Sequence, residues 1–352
     1  MKIILKNFYS LCVTDDQVYG LMGDKLVAYS LIDYSFSHVA ILDFSLLERL
    51  VLRFGFLKRL FRYIPRAMKV ISENEFCFVL KKKLYRVRIS DKEIVCLHSN
   101  IGSNALSLTR SHCKKYILFG DYNANENLDP VFVNFIDIET GELHKKTIFD
   151  SGDVNHVHNI ISFKDGYIVL TGDTGSKTGF YFFDNDFVSF RCLFSKGQLS
   201  RACWLHEAGG NFYFATDSQY DPNFLLSVNL DDGSYSKIAS IENSSIYSCV
   251  KGKNIYFSTT VEPGYYNHNF FLDLLDDRIG NGITSRSSRL YCFDGKYLKL
   301  LDKQKKDFLP MRLFQFGVFS FPDFMYRESD FMVYNCIALK GLSCATVVLI
   351  EQ

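Results

Sequence analysis

The sequence has few of the residues that mark several common classes of protein. Its 352 residues include six prolines and one tryptophan, and none of its ten cysteines belongs to a C-x-x-C pair. Lys and Arg number 40 against 39 Asp and Glu, which gives a formal net charge of +1. A protein that neutralises many phosphates needs a basic surplus, so we exclude nucleic acid as an expected partner.

The sequence also lacks two kinds of apolar segment. No uncharged apolar run reaches the roughly 18 residues that favour a membrane-spanning helix. The N-terminal stretch MKIILKNFYSLCVTDD has no small-residue cleavage site and is not typical of a secretory signal. Most cysteines stand singly inside apolar runs, which predicts reduced core thiols and a cytoplasmic protein.

Aromatic residues are plentiful, with 33 Phe and 21 Tyr, and they suit half-buried strands. Short apolar runs recur between Gly, Asp, Asn or Lys turns. One run of this unit appears seven times, as KLVAYS (25–30), LYRVRI (84–89), VFVNFIDI (131–138), GFYFFD (179–184), FLLSVNL (224–230), RLYCF (289–293) and TVVLIE (346–351). The period of roughly 50 residues predicts an all-β fold, a seven-bladed β-propeller of four-stranded blades forming a single domain over 1–352.

The two ends of the chain complete the predicted ring. The seventh unit stops after its third strand, and the strand-like stretch KIILK (2–6) belongs to no other unit. If that stretch supplies the missing fourth strand, two exposed sheet edges are removed. We therefore predict that the N-terminal strand closes the last blade.

Two segments fall outside the repeat. In DFSLLERLVLRFGFLKRLFRYI (43–64), apolar residues recur at helical spacing, which predicts a short helical insertion near 44–62. Its basic residues are Arg49, Arg53, Lys58, Arg59 and Arg62. The helix either lies on an anionic membrane surface as a peripheral contact or packs on a blade with its basic side chains solvated. The second segment, 262–288, is a long loop insertion between the second and third strands of blade six.

Carboxylates recur in phase with the blades. Asp121, Asp173, Asp217 and Glu262 each follow the second strand of blades three to six, at separations close to the blade period. In a propeller these positions share a face with the links that join one blade to the next. Asp is common in turns, but four acids in phase predict a shared functional rim.

Two first strands begin on that face with unusual residues. His156 and His158 open the first strand of blade four, and Gln198 and Arg201 precede that of blade five. Strand residues two apart share a face at a spacing of about 7 Å, so the two histidines can share a divalent metal ion. Asp173, Asp217 or Gln198 would then be further ligands. A metal-free pair of hydrogen-bonding imidazoles is the alternative, and either arrangement can move a proton near neutral pH.

The remaining rim residues are typical of sugar binding. The guanidinium of Arg201 can bind an anionic sugar group or pair with a neighbouring acid. We predict that substrate-binding residues are Arg201, Gln198, Asp121, Asn104, Gln315 and Tyr265, with Tyr122 and Tyr266 nearby. Asn104 and Gln315 are expected at the starts of the first strands of blades three and seven.

Six short motifs carry a family resemblance. NHVHNI, TGD, GQLSRACWL, ATD, TTVEP and LFQFG occur in this order and at blade spacing, and the resemblance they carry covers roughly residues 60 to 322. In this, the chain resembles an uncharacterised family of sialidase-like β-propellers whose genes often lie in exopolysaccharide and O-antigen biosynthesis loci. It is also similar, more weakly, to propeller-type oligogalacturonate lyases, which bind a metal through His and Gln near the channel.

The resemblance implies a glycan-binding protein of bacterial surface polysaccharide biosynthesis that cleaves or modifies its ligand. The sialidase turn Ser-x-Asp-x-Gly-x-x-Trp survives only as remnants without the aromatic residue, which argues against strict sialidase activity. In a hydrolase, Asp173 and Asp217 would be the catalytic pair, with Glu262 as a third acid. In a lyase, His158 or Arg201 would take up the proton. The alternative is a non-catalytic scaffold that binds glycosyltransferases or polysaccharide.

Overall fold

Seven sheets form the blades of a β-propeller in the computed structural model, which describes all residues except 175–176, 265–268, 327, 329–330 and 351–352. The chain begins with β1 (Lys2–Lys6). Blade one contains β2 (Tyr9–Val13), β3 (Gln17–Met22), β4 (Lys25–Ser30) and β5 (Phe36–Ile41). After α1 (Leu46–Leu52) and α2 (Gly55–Leu60), blade two contains β6 (Met68–Ser72), β7 (Glu75–Leu80), β8 (Lys83–Arg88) and β9 (Glu93–His98).

The next three blades follow the same order. Blade three contains β10 (Thr109–Arg110), β11 (Tyr116–Gly120), β12 (Val131–Asp137) and β13 (Leu143–Phe149). Blade four contains β14 (His156–Phe163), β15 (Gly166–Gly172), β16 (Phe180–Asp184) and β17 (Phe190–Phe194). Blade five contains β18 (His206–Ala208), β19 (Asn211–Ala215), β20 (Asn223–Val228) and β21 (Tyr235–Ile241).

Blades six and seven hold the remaining elements. Blade six contains β22 (Ser248–Lys251), β23 (Asn254–Ser258), the inserted helix α3 (Phe270–Leu275), β24 (Ser287–Phe293) and β25 (Leu298–Lys305). After α4 (Met311–Phe314) come β26 (Val318–Ser320), β27 (Asp323–Phe324), β28 (Phe331–Ile337) and β29 (Ala345–Ile350). The predicted seven-bladed all-β fold is therefore confirmed.

The ring closes as predicted. β1 pairs antiparallel with β29, with Lys2 opposite Leu349 and Lys6 opposite Ala345, and becomes the outer strand of blade seven. One detail was not predicted. The two-residue strand β27 pairs in parallel with β2, which gives blade one a fifth strand.

Aromatic side chains fill the space between blades. Phe180 and Phe194 of blade four pack against Phe214 of blade five, and Trp204 is buried, with its Nε1 donating to Ser245 Oγ at 3.0 Å. All ten cysteines are free thiols. The prediction that they lie in the core holds only in part, because three of them are exposed on outer strands or turns: Cys96, Cys113 and Cys192.

The insertion near 44–62 forms two short helices rather than one. α1 begins at a capping box made by Ser45 and Glu48, and the helical path breaks at Arg53 and Phe54 before α2. Arg59 is not solvated: it is 2% exposed, pairs with Asp307 and donates to the main-chain oxygen of Phe314 at 2.6 Å. Within the described residues, no helix has the length and apolar character needed to cross a membrane.

Strand order decides which segments share a face. The links between blades and the turns between second and third strands emerge together, on what we call the upper face. α1, α2 and α4 lie in such links, and α3 lies in such a turn. All four described helices therefore belong to the same face as the carboxylates that follow β11, β15, β19 and β23.

Candidate functional site

Two histidines meet at the start of β14. The strand register shifts between Val157 and Asn159, so His158 is the extra residue of a β-bulge. The Nε2 atoms of His156 and His158 lie 3.1 Å apart, and both side chains are buried. Gly172 makes room for the second ring, because a Cβ atom there would stand 2.0 Å from His158 Nε2.

Asp173 follows β15 and faces both rings. Its Oδ1 lies 3.1 Å from His158 Nε2, and its Oδ2 lies 3.5 Å from His156 Nε2. Asn155 holds the backbone here, since its Oδ1 accepts the N–H of Asp173 at 2.8 Å. The histidines and Asp173 are thus brought together as the sequence predicted.

Arg201 links this group to blade five. Its Nε lies 2.8 Å from Asp173 Oδ1, and a terminal nitrogen lies 3.7 Å from Asp217 Oδ2. Asp217 also accepts a hydrogen bond from Cys203 Sγ at 3.3 Å. Burial lowers the pKa of Arg201, but the charges of Asp217, Asp173 and Glu262 outweigh it and raise the pKa above the usual range. Arg201 therefore stays cationic.

Glu262, like Asp217, is buried. It accepts a short hydrogen bond from Ser244 Oγ and is 5% exposed. Burial, followed by the charge of Asp217, raises the pKa of Glu262 to about 8. This carboxyl group is thus mostly protonated at neutral pH.

Asp173 has the opposite electrostatic environment. Burial favours its neutral form, but hydrogen bonds to His156 and His158 and the charge of Arg201 hold its pKa well below its usual range. Burial lowers the pKa of His156, which Asp173 only partly offsets. We refer to His156, His158, Asp173, Arg201, Asp217 and Glu262 together as the Asp173 cluster. Asp173 is ionised at neutral pH, which suits it to bind a cation and makes it a poor donor or acceptor of a proton.

The donor atoms of the Asp173 cluster fit a divalent cation. His158 Nδ1 lies 2.9 Å from the main-chain oxygen of Ala202, which can only accept, so Nδ1 carries the proton. His158 Nε2 is then the ring atom that faces Asp173 and His156, and it is the atom that would bind a cation. Metal–ligand bonds of about 2.0–2.2 Å at tetrahedral or octahedral angles place donors about 3.0–3.5 Å apart. His156, His158 and Asp173 show separations of 3.1 to 3.5 Å.

A basic cavity of about 870 Å³ opens beside the Asp173 cluster. Its wall includes Tyr122, whose ring centroid lies 4.4 Å from that of His156. Five cations and one acid line it: Arg62, Arg66, Lys81, Lys82, Arg312 and Asp273. Lys81 and Lys82 have φ of 54° and 61°, a conformation in which Asn-Gly is preferred, so two lysines occupy this turn at a backbone cost.

The other predicted binding residues do not all lie at one site. Asn104 and Gln315 line the basic cavity, whereas Gln198 donates from Nε2 to the main-chain oxygen of Asp173 at 3.0 Å. The Asp121 side chain accepts from Asn134 Nδ2 at 2.8 Å, and within the described part of the chain it has no hydrogen bond or ion pair to the Asp173 cluster. Tyr265 lies outside the described residues, as does Tyr266.

Two of these residues do not start strands as predicted. Asn104 lies in the link before β10 because that strand contains only Thr109 and Arg110. Gln315 ends α4 with φ 69° and ψ 161°, a region almost restricted to glycine. Its Oε1 is buried, with no hydrogen-bond partner among the residues described. Strain combined with an unused acceptor is typical of a binding residue.

Sequence reasoning missed several members of the site. Asn155 and Cys203 lie inside the motifs NHVHNI and GQLSRACWL, so their position next to chosen residues was the available signal. Arg66, Lys81 and Lys82 come from blade two, which carries no carboxylate in phase with the others. Their contribution depends on the ring, in which residues of blade two line the same cavity as residues of blades three and seven.

Comparison with known proteins supports the fold. No protein-family model and no curated protein matches the chain. An oligogalacturonate lyase in complex with manganese is 10% identical, with a TM-score of 0.56 over 100% of this chain and 91% of that one. The β-propeller domain of Cps50 (Swd1) from Myceliophteria thermophila is 9% identical, with a TM-score of 0.58 over 99% and 98%.

Two larger proteins are similar over part of their length only. The chain spans 22% of tricorn protease and 35% of the extracellular domain of a hybrid two-component system from B. thetaiotaomicron. The likeness to the oligogalacturonate lyase and to the Cps50 (Swd1) domain, at 10% and 9% identity, shows a shared β-propeller fold alone.

Proposed function

We propose that this chain is an enzyme that binds a divalent cation at His156, His158 and Asp173 and cleaves an acidic glycan by β-elimination. The observation that carries the proposal is the convergence of two imidazole nitrogens and one carboxylate, 3.1 to 3.5 Å apart. Two histidines and one carboxylate leave coordination positions open, as catalytic metal sites require. The main-chain oxygen of Ala202 orients His158, which is the usual support for a metal-binding histidine.

The basic cavity supports an acidic ligand. Its cations outnumber its acids, and Arg312 is paired with Asp273 at 3.0 Å. Arg66 has no carboxylate within ion-pair distance among the described residues, and its guanidinium lies 5.8 Å from the ring centroid of Tyr122. A uronate-containing chain in this cavity would meet Arg66 and would approach the Asp173 cluster past Tyr122, whose ring lies between the cavity and His156.

Exposure favours elimination over hydrolysis. A glycosidase needs two carboxyl groups beside the scissile bond. Asp217 and Glu262 are 4% and 5% exposed, whereas the side chain of Asp173 is 30% exposed. Elimination instead needs the uronate carboxylate to be neutralised, which a cation bound at the partly exposed Asp173 would provide, with the charge of the buried Arg201 directly behind it.

Each residue of the site would have a defined role in β-elimination. In elimination, a base takes the proton from C5 of the uronate, a C4–C5 double bond forms as the C4–O bond breaks, and the departing O4 takes up a proton. Arg201 stays cationic and His158 Nε2 would hold the cation, so neither takes the C5 proton as the sequence suggested. Water in the basic cavity would accept that proton and return one to O4. A bound cation would supply Lewis-acid stabilisation of the charge that develops on the uronate carboxylate. Asp173 and the two histidines would hold that cation. Arg201 would add its positive charge beside the same carboxylate group of the substrate.

The biological setting is part of the proposal. The sequence motifs resemble those of propellers from surface polysaccharide loci, and one fold neighbour is named as an oligogalacturonate lyase with manganese. We accordingly propose an oligosaccharide or polysaccharide intermediate of surface polysaccharide assembly as the substrate, in the cytoplasm or at the membrane surface.

Metal binding and turnover test the function together. Purified protein is titrated with Mn²⁺ by calorimetry and incubated with uronate oligosaccharides, while ultraviolet absorbance follows the unsaturated product. His158→Ala should abolish both signals because it removes a central donor atom. His144→Ala, on outer strand β13, is the matched control and should alter neither.

Three outcomes would overturn the proposal. A saturated product would indicate hydrolysis. Turnover unaffected by His158→Ala would remove the histidines from the chemistry. Glycan or glycosyltransferase binding without turnover, and unaffected by His158→Ala, would instead support the non-catalytic scaffold.

A further inference from the structure

The four helices form a continuous layer on the upper face. Arg62, after α2, donates from a terminal nitrogen to the main-chain oxygen of Arg312 in α4 at 2.6 Å. Arg59 of α2 bonds the oxygen of Phe314 at the end of α4. Arg312 in turn pairs with Asp273 of α3. The helices are thus joined to one another and to the rim of the basic cavity.

This layer exposes many large apolar side chains. Nine residues of its helices and adjoining turns are 47 to 90% exposed: Leu46, Leu47, Leu50, Phe54, Phe56, Phe61, Leu272, Leu275 and Phe308. We call these nine residues the apolar helical surface. Nine large apolar side chains exposed on one layer of linked helices are unusual on a soluble monomer and indicate a site of association.

Cations surround the apolar helical surface. The insertion near 44–62 contains five basic residues, of which Arg59 is buried against Asp307 and Arg49 pairs with Asp24 at 3.3 Å. Its one acid, Glu48, is occupied by Ser45 and Tyr63. Arg53 and Lys82 have no acid within ion-pair distance in the described part of the chain. Asp273 is paired with Arg312, and Asp277 with Arg286. The uncompensated charge around the apolar side chains is therefore positive.

We propose that the apolar helical surface docks on the surface of an anionic lipid bilayer. Leucine and phenylalanine side chains enter the boundary between headgroups and acyl chains, and arginine and lysine contact the lipid phosphates. The short helices suit this role because they lie on the propeller and do not cross the bilayer. Docking places the mouth of the basic cavity at the level of the headgroups.

This charge pattern separates a membrane from a protein partner. A protein groove that covers nine apolar residues would have to match their shape, whereas a bilayer accepts any arrangement with apolar groups inside and cations at the rim. The binding should weaken with salt because part of it is electrostatic. It does not depend on the proposed catalytic function.

Vesicle sedimentation tests the proposal with the full chain. Vesicles of phosphatidylcholine with phosphatidylglycerol should bind the protein, and vesicles of phosphatidylcholine alone should bind it far less. The double variant Leu46→Ser with Leu47→Ser should lower the partition coefficient roughly tenfold or more, because two leucine side chains no longer enter the lipid. Both residues are exposed, so folding should be retained, which circular dichroism checks.

The control uses equally exposed residues on the opposite face. Ile32 and Val188 are 76% and 74% exposed and lie in turns between third and fourth strands. Ile32→Ser with Val188→Ser should bind vesicles like the unmodified protein. Equal loss in both double variants, or no binding to anionic vesicles, would overturn the proposal. A concentration-dependent dimer lost in Leu46→Ser with Leu47→Ser would assign the surface to a second copy or a protein partner instead.

Discussion

Blades three and four carry the same Gly-Asp pair at the end of their second strands, in different surroundings. In blade three, Gly120 lies against Val157, and Asp121 bonds Asn134 of its own blade. In blade four, Gly172 lies against His158, and Asp173 faces two histidines and an arginine. The repeat therefore sets the position of the aspartate, while the neighbouring strand decides its chemistry.

The first test of this difference adds a Cβ atom at both glycines. Gly172→Ala and Gly120→Ala should each lower the free energy of unfolding by about 1–3 kcal/mol, because the new Cβ overlaps a neighbouring side chain. Only Gly172→Ala should also abolish Mn²⁺ binding, since its Cβ would displace the ring of His158. Urea unfolding and calorimetric titration measure the two effects. Retained Mn²⁺ binding in Gly172→Ala would show that the ring position is not needed.

The second test of the difference removes the negative charge of each aspartate. Asp173→Asn removes the charge that faces Arg201 and both histidines, and cation affinity and turnover should fall at least roughly 100-fold. Asp121→Asn keeps an oxygen that accepts from Asn134 and should change neither value by more than about threefold. Similar losses in both variants would mean that the whole rim acts as one site.

A third experiment compares Asp173 with Glu262, which occupy equivalent positions but have opposite pKa shifts. Glu262 is protonated more readily in the folded protein, with a pKa of about 8. The buried, protonated form of Glu262 favours the folded state. This contribution to the free energy of unfolding is complete below the unfolded pKa near 4.5 and is lost as pH rises through about 8. Asp173 contributes stability above its unfolded pKa, which is lost as pH falls below that value.

The free energy of unfolding should therefore decline between about pH 5 and 8 in the unmodified protein. Glu262→Gln should flatten this decline in the free energy of unfolding at rising pH. It should not change the separate decline at low pH that comes from Asp173. Urea unfolding at a series of pH values measures both limbs. An unchanged alkaline slope in Glu262→Gln would assign the decline to another group.

Much of the fold follows from local pattern. Seven copies of one strand pattern predicted the blades, and the unmatched strand at residues 2–6 predicted the closure with β29. The phase of Asp173, Asp217 and Glu262 predicted that they share a face, because each blade repeats the same strand order. These inferences need only strand alternation and turn positions.

Other features depend on contacts between distant residues. The bulge at His158 and the burial of Arg59 by Asp307 follow from how blades pack, which spacing does not encode. The opposite pKa shifts of Asp173 and Glu262 come from hydrogen bonds and burial rather than residue type. Lys81 and Lys82 reach the site only because the ring places blade two at the cavity.

The smallest expected effect concerns the side chains that hold each Gly-Asp turn. Asn155 Oδ1 accepts the N–H of Asp173, and Ser103 Oγ accepts the N–H of Tyr122, both at 2.8 Å. Asn155→Ala and Ser103→Ala should each cost about 1 kcal/mol of stability. Asn155→Ala should also weaken Mn²⁺ binding about tenfold, because it orients a ligand rather than binding the ion. Ser103→Ala should change that affinity less than about threefold, since it supports a ring that packs on His156 without holding a donor atom. Equal affinities in the two variants would mean that the blade-four turn holds Asp173 without Asn155.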